Sequence, residues 1–98
     1  MLLPCRMAVL NNLFLKKEEE TVSEVMAALE DQYGTEKQFS EKMFLDHLMA
    51  LEANGLVELT NYDLDDKAEL VRYYKITADG QNTVEKYVDQ KYWRLEEV

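Results

Sequence analysis

The dipeptide Asn54-Gly55 divides this chain into two parts whose apolar residues recur at different periods. Before it, they fall three and four residues apart, as on one face of a helix. After it, Leu56-Val57-Glu58-Leu59-Thr60 alternates, as does Leu70 to Thr77 with its β-branched and aromatic residues. Asn-Gly is itself a helix stop, because glycine accepts a left-handed turn that a residue with a Cβ resists. Helices on one side of such a stop and two strands beyond it predict an α+β fold, mainly helical, with a small antiparallel hairpin.

Local signals divide the chain further. Pro4 suits the first turn of a helix over 4–17, since its missing N–H costs nothing there. Met7, Ala8, Val9, Leu10, Leu13 and Phe14 occupy nearly every direction around that axis, and a helix apolar on all sides must be covered on all sides. In a domain this small, some of that cover is expected from outside the chain's own core. Lys16 to Glu20 reads as a solvated turn. Thr21-Val22-Ser23-Glu24 has the form of a capping box and opens a helix over 22–33, closed by the C′ glycine Gly34. Ser40 caps a third helix, 41–54, whose buried stripe is Phe44, Leu48 and Leu51. The hairpin spans 56–77, with Asn61 to Glu69 as its polar loop. Thr77 caps a last helix, 78–95, through Val84, Tyr87, Val88, Tyr92 and Leu95.

Ninety-eight residues, 47% of them hydrophobic, are expected to form one domain over 1–98. A chain of this size buries roughly two-thirds of its unfolded surface. A single cysteine excludes an internal disulfide and a cysteine-based metal cluster. No stretch approaches the ~20 apolar residues that span a bilayer. The expectation is a soluble, cytoplasmic protein without cofactor or metal. Twenty acids against 11 bases give a net charge of −9, which repels bare phosphate at long range.

The order helix–helix–helix–strand–strand–helix resembles a winged helix-turn-helix domain. Leu48-Met49-Ala50-Leu51-Glu52-Ala53-Asn54-Gly55-Leu56-Val57 is similar to the end of the recognition helix entering the wing in PadR-like and MarR-like transcriptional regulators. Tyr73-Tyr74-Lys75-Ile76-Thr77-Ala78-Asp79-Gly80 is similar to the second wing strand running into the C-terminal helix of PadR-like proteins. The resemblance implies a third helix in the major groove and a wing reaching toward phosphates. It also implies dimerisation through the terminal helices. These motifs carry architecture, and they would be present whether or not the domain touched DNA.

The charges depart from that pattern. From Glu36 to Glu52 the bases are Lys37 and Lys42, against Glu36, Glu41, Asp46 and Glu52. In the wing, Asp63, Asp65, Asp66 and Glu69 surround Lys67, with Arg72 on the strand beyond. Ala50 stands where PadR-like proteins often carry a base.

Other constellations have plain readings. His47, the one histidine, has no second histidine or cysteine nearby with which to hold a metal, and reads as structural or as a base contact. Asp63-x-Asp65-Asp66 lacks the glycine and the glutamate that an EF-hand needs at its sixth and twelfth positions, occupied here by Ala68 and Tyr74. Cys5 reads as a buried or interface thiol, with redox sensing as the alternative. No Ser-His-Asp set and no glycine-rich phosphate loop stands out, so catalysis is not expected. Trp93 falls on the side of the last helix away from its apolar stripe. With the all-round apolar first helix, it suggests a homodimer interface built from Met7, Leu10, Phe14, Tyr87 and Trp93.

Two functions follow as expectations. In the first, the chain is a homodimeric winged-helix regulator that binds duplex DNA. Lys37, Gln38, Ser40, Lys42 and His47 then face the groove, and Lys67 and Arg72 flank it. In the alternative, the same acidic surface docks a basic protein partner and DNA is not bound.

Overall fold

The computed structural model describes residues 3–37 and 39–92. They form a small α+β domain of four α-helices and a three-stranded antiparallel sheet. The helices are α1 (Cys5–Lys16), α2 (Val22–Tyr33), α3 (Glu41–Ala53) and α4 (Ala78–Tyr87), followed by a 3₁₀ turn over Gln90–Tyr92. The strands are β1 (Glu20–Thr21), β2 (Val57–Leu64) and β3 (Leu70–Ile76), with β3 at the centre.

The expected caps form. Thr21 Oγ1 accepts from Glu24 N at 3.1 Å while Glu24 returns a carboxylate oxygen to Thr21 N at 2.8 Å, a reciprocal box that satisfies two donors of the first turn. Ser40 caps α3 by accepting from Met43 N, and Thr77 caps α4 by accepting from Gly80 N. Gly55 leaves α3 at φ 77°, in the left-handed region. Gly34 does not: its φ is −63° and it continues the right-handed turn, so the left-handed C′ expected there is not used.

Helix α1 overturns one expectation. It packs against α2, α3, α4 and β3, so this chain's own elements cover it from several sides. Val9, Leu10 and Leu13 are fully buried, and even Asn11 and Asn12 lie inside. The all-round apolar pattern therefore marks a central helix, and it does not require a second copy. Phe44, Leu48, Val25, Tyr74 and Val84 close around it to complete the core.

Three boundaries differ from the sequence reading. Glu20, expected in a solvated turn, and the N-cap Thr21 form β1 and pair with Tyr74 and Tyr73. Strand β2 runs on to Leu64, which shortens the hairpin loop to Asp65–Glu69. The last helix, expected to run unbroken to 95, stops at Tyr87; Val88 is extended (φ −101°, ψ 127°) and buried, turning the chain back onto the core. Leu95 and Trp93 lie outside the described residues.

The exit of α3 and the start of α4 are bonded to each other. Thr77 Oγ1 donates to Gly55 O at 2.6 Å and Thr77 N donates to Leu56 O at 3.1 Å. Gly80 sits so close that a Cβ there would lie 2.1 Å from Leu56 O and 2.6 Å from Ile76 Cγ1. This glycine is required by close approach of backbones.

Candidate functional site

One face of the molecule is built by the outer side of α3 and the hairpin. At 100° per residue, Lys42, Asp46, Met49 and Ala53 fall within roughly 60° of one another, opposite the buried Phe44–Leu48–Leu51 stripe. Lys42 Nζ lies 3.2 Å from Asp46 Oδ2 across one helical turn, with both side chains well exposed. Such a surface pair adds little to stability. Its consequence is electrostatic, because it offsets the one cation on that stripe. Met49, 48% exposed, follows on the same face.

The hairpin contributes an apolar end. A β-bulge between Leu59 and Asn61 inserts Thr60 as an extra residue in β2. Leu59 pairs with Tyr74, then Tyr62 with Arg72 and Leu64 with Leu70. Directly paired residues share a face and every second residue returns to it. The bulge thus shifts the phase of β2, so that Tyr62 and Leu64 lie on the same side as Leu59. That side is core-facing at Tyr74, which is buried, but the ribbon extends past the core. Tyr62, Leu64 and Leu70 are consequently 63%, 63% and 49% exposed.

Between this ribbon and the N-terminal ends of α2 and α3 lies a cleft of about 310 Å³. Val22, Leu45, Leu70 and Val71 supply its apolar surface. Two cations, Lys42 and Arg72, and three carboxylates, Glu41, Asp65 and Glu69, supply its charge. Ser23 donates its hydroxyl to Glu41 at 2.5 Å. Asp65 Oδ1 accepts from the backbone N–H of Lys67 and of Glu69, which shapes the hairpin loop and lets Ala68 adopt φ 60°. Asp63 likewise accepts from Leu64 N, 2.8 Å away. Among the described residues no group of three or more histidine, cysteine or acidic side chains is placed to hold a metal ion.

The residues expected on a DNA surface are dispersed. Lys42 and Arg72 meet in the cleft; Lys37 and Lys67 are exposed; Ser40 is spent on capping α3. Gln38 lies outside the described residues. His47 is turned to α1, where its Nδ1 accepts from Arg6 Nε at 3.2 Å and its ring meets Phe44 edge to face. Burial, and then the Arg6 guanidinium, hold the imidazole below its ordinary pKa and keep it neutral at pH 7.

The expected dimer residues divide as well. Leu10 is fully buried within the chain's own core, so it offers nothing to a second copy, and that assignment is corrected. Met7 and Phe14 are partly buried, packed against the same core. Tyr87 is 70% exposed, and Trp93 lies outside the described residues. Cys5 is half-buried, and burial together with Glu36 pushes its thiol pKa up, which disfavours the thiolate that redox chemistry needs.

Sequence reasoning missed the apolar end of the hairpin. Its signal was present as the alternation Asn61-Tyr62-Asp63-Leu64, hidden by an extra residue that broke the phase with Val57 and Leu59. No family model and no curated protein matches this chain. Among the described residues no helix is long and apolar enough to cross a membrane.

Proposed function

We propose that this domain is a winged helix whose third helix and wing dock a basic, partly apolar segment of a protein partner in place of duplex DNA. The order of α1, α2, α3, the β2–β3 hairpin and α4 supports the winged-helix reading. The short β1 adds a strand against β3, on the side away from β2.

The observation that carries the functional reading is the composition of the cleft. Where Lys42 and Arg72 come together, Glu41, Asp65 and Glu69 stand with them, and Asp46 engages Lys42 from outside. Strong duplex binders make ~6–10 phosphate contacts, and each one gains by releasing condensed counterions. Carboxylates within a Debye length, ~8 Å at physiological salt, cancel that gain. The exposed Leu64 and Leu70 beside the acids, and the ring of Tyr62 next to them, offer apolar surface that phosphate does not use. They suit the apolar side chains and aliphatic lysine or arginine stems of a basic polypeptide.

Fluorescence anisotropy with a random duplex at low salt tests this reading. The wild-type protein is expected to show no binding at tens of micromolar, where non-specific binders with Kd ~10⁻⁴–10⁻⁶ M begin to register. A variant carrying Glu41→Gln, Asp46→Asn, Asp65→Asn and Glu69→Gln keeps every acceptor oxygen that the fold uses and is expected to gain salt-sensitive affinity. Wild-type binding in the micromolar range would return the domain to the DNA-binding reading.

A further inference from the structure

We propose that the cavity between α1, α2 and the Gln90–Tyr92 turn is a binding site for a neutral small molecule with one apolar face that donates one hydrogen bond to Asn11. The cavity measures about 560 Å³ and shares no lining residue with the cleft of the proposed docking surface. Its size falls in the ordinary range of small-molecule sites, ~300–1,000 Å³. Ala8, Leu15, Ala28 and Leu29 give it an apolar wall.

Two adjacent asparagines on α1 are buried, and the fold accounts for them unequally. Asn12 donates from Nδ2 to Glu20 Oε1 at 2.7 Å, tying α1 to β1. Asn11 donates from Nδ2 to Tyr92 O at 2.7 Å, which fixes the orientation of its amide. Its Oδ1 is buried and has no donor among the described residues, although the residue is only 7% exposed and lines the cavity. Buried acceptors are almost always satisfied. Among the buried positions of α1, Ala8, Val9, Leu10 and Leu13 are apolar and Asn12 is spoken for by Glu20, so a half-satisfied Asn11 at the wall of a cavity marks the position of an incoming donor.

The rim sets the charge of the ligand. Lys16, Lys91 and Asp31 are the exposed charged residues of its lining, and two cations against one carboxylate disfavour an ammonium group. The donor is then a neutral N–H or O–H, and an apolar face of the molecule lies against Ala8, Leu15, Ala28 and Leu29.

The test is a ¹⁵N–¹H titration of the full chain with indole, which carries one neutral N–H, and with 1-methylindole, the same ring system with a methyl group in place of that hydrogen. Indole is expected to shift the backbone amides of Ala8, Asn11, Ala28 and Leu29 and the side-chain amide of Asn11. 1-Methylindole is expected to bind about tenfold more weakly, the loss of one net hydrogen bond. Asn11→Leu should erase the difference between the two compounds. If that variant fails to fold, Ala28→Phe obstructs the cavity from α2 and should abolish indole binding while the rest of the spectrum is kept. Equal binding of both compounds, shifts confined to other surfaces, or no shift at millimolar indole would overturn the proposal. The duplex experiment above is unaffected by any of these results.

Discussion

Arg6 on α1 donates from Nε to Nδ1 of His47 on α3, 3.2 Å away, and so joins the central helix to the one whose outer face lines the cleft. Protonation of His47 places a proton on the accepting nitrogen and a second positive charge beside the guanidinium. The folded imidazole is therefore held below its ordinary value of 6.5, by burial first and Arg6 second. The stabilisation is present above pH 6.5 and is lost as pH falls from there through the lower folded value. An imidazole titration followed by NMR should show a midpoint below 6.5, moving upward in Arg6→Met. In urea unfolding, His47→Gln should remove this acid-side loss.

Glu20 has the opposite sign. It is 8% exposed, and burial raises its carboxyl above the ordinary 4.5 despite the Asn12 hydrogen bond and the nearby Lys16. A raised folded pKa means the charged form weakens the fold at neutral pH, and full stability returns only below 4.5. Glu20→Gln keeps an acceptor for Asn12 and should raise the urea midpoint at pH 7. The advantage should vanish at pH 4. Because the His47 and Glu20 effects oppose each other, each is read as a difference between wild type and variant.

Gly80→Ala separates helix propensity from packing. Propensity alone favours alanine over glycine in a helix by about 1 kcal/mol. Here the added Cβ would meet Leu56 O at 2.1 Å, a backbone atom fixed by the Thr77 hydrogen bond. Overpacking of this kind costs about 1–3 kcal/mol, so the net change should be destabilising. Thermal unfolding that shows a gain in Tm would refute the close approach.

Tyr62→Ser and Leu64→Ser address the hairpin end. Both side chains are 63% exposed, so the pair should change stability by no more than about 0.5 kcal/mol each, as surface positions do. Their removal should nevertheless weaken docking of a basic, apolar peptide by more than tenfold, measured by calorimetry.

The fold was legible where signals were local. Thr21, Ser40 and Thr77 cap the helices that their sequences announce, and Gly55 turns as Asn-Gly implies. What was hidden depends on distant contacts. Two residues, Glu20 and Thr21, carry no strand pattern of their own; β1 exists because Tyr73 and Tyr74 of β3 offer an edge to pair with. The apolar residues of α1 look the same whether cover comes from a partner or from α2, α3 and α4, so sequence suggested an interface where the structure has a core. The stop at Tyr87 has no glycine or proline to mark it; burial of Val88 ends the helix. At the candidate site, the excess of acids was visible from composition. The apolar face was not, because one bulged residue reversed the alternation.

The most direct measurement is a pair of ¹⁵N–¹H titrations of the uniformly labelled chain. One uses a short peptide alternating lysine and leucine, and the other a random 20-base-pair duplex, both at low salt. The peptide is expected to shift residues of α3, of the hairpin loop and of Tyr62–Leu64, in a manner that weakens when leucine is replaced by glycine, and the duplex to shift nothing. Shifts on Lys42, Lys67 and Arg72 with the duplex, and none on this face with the peptide, would contradict it.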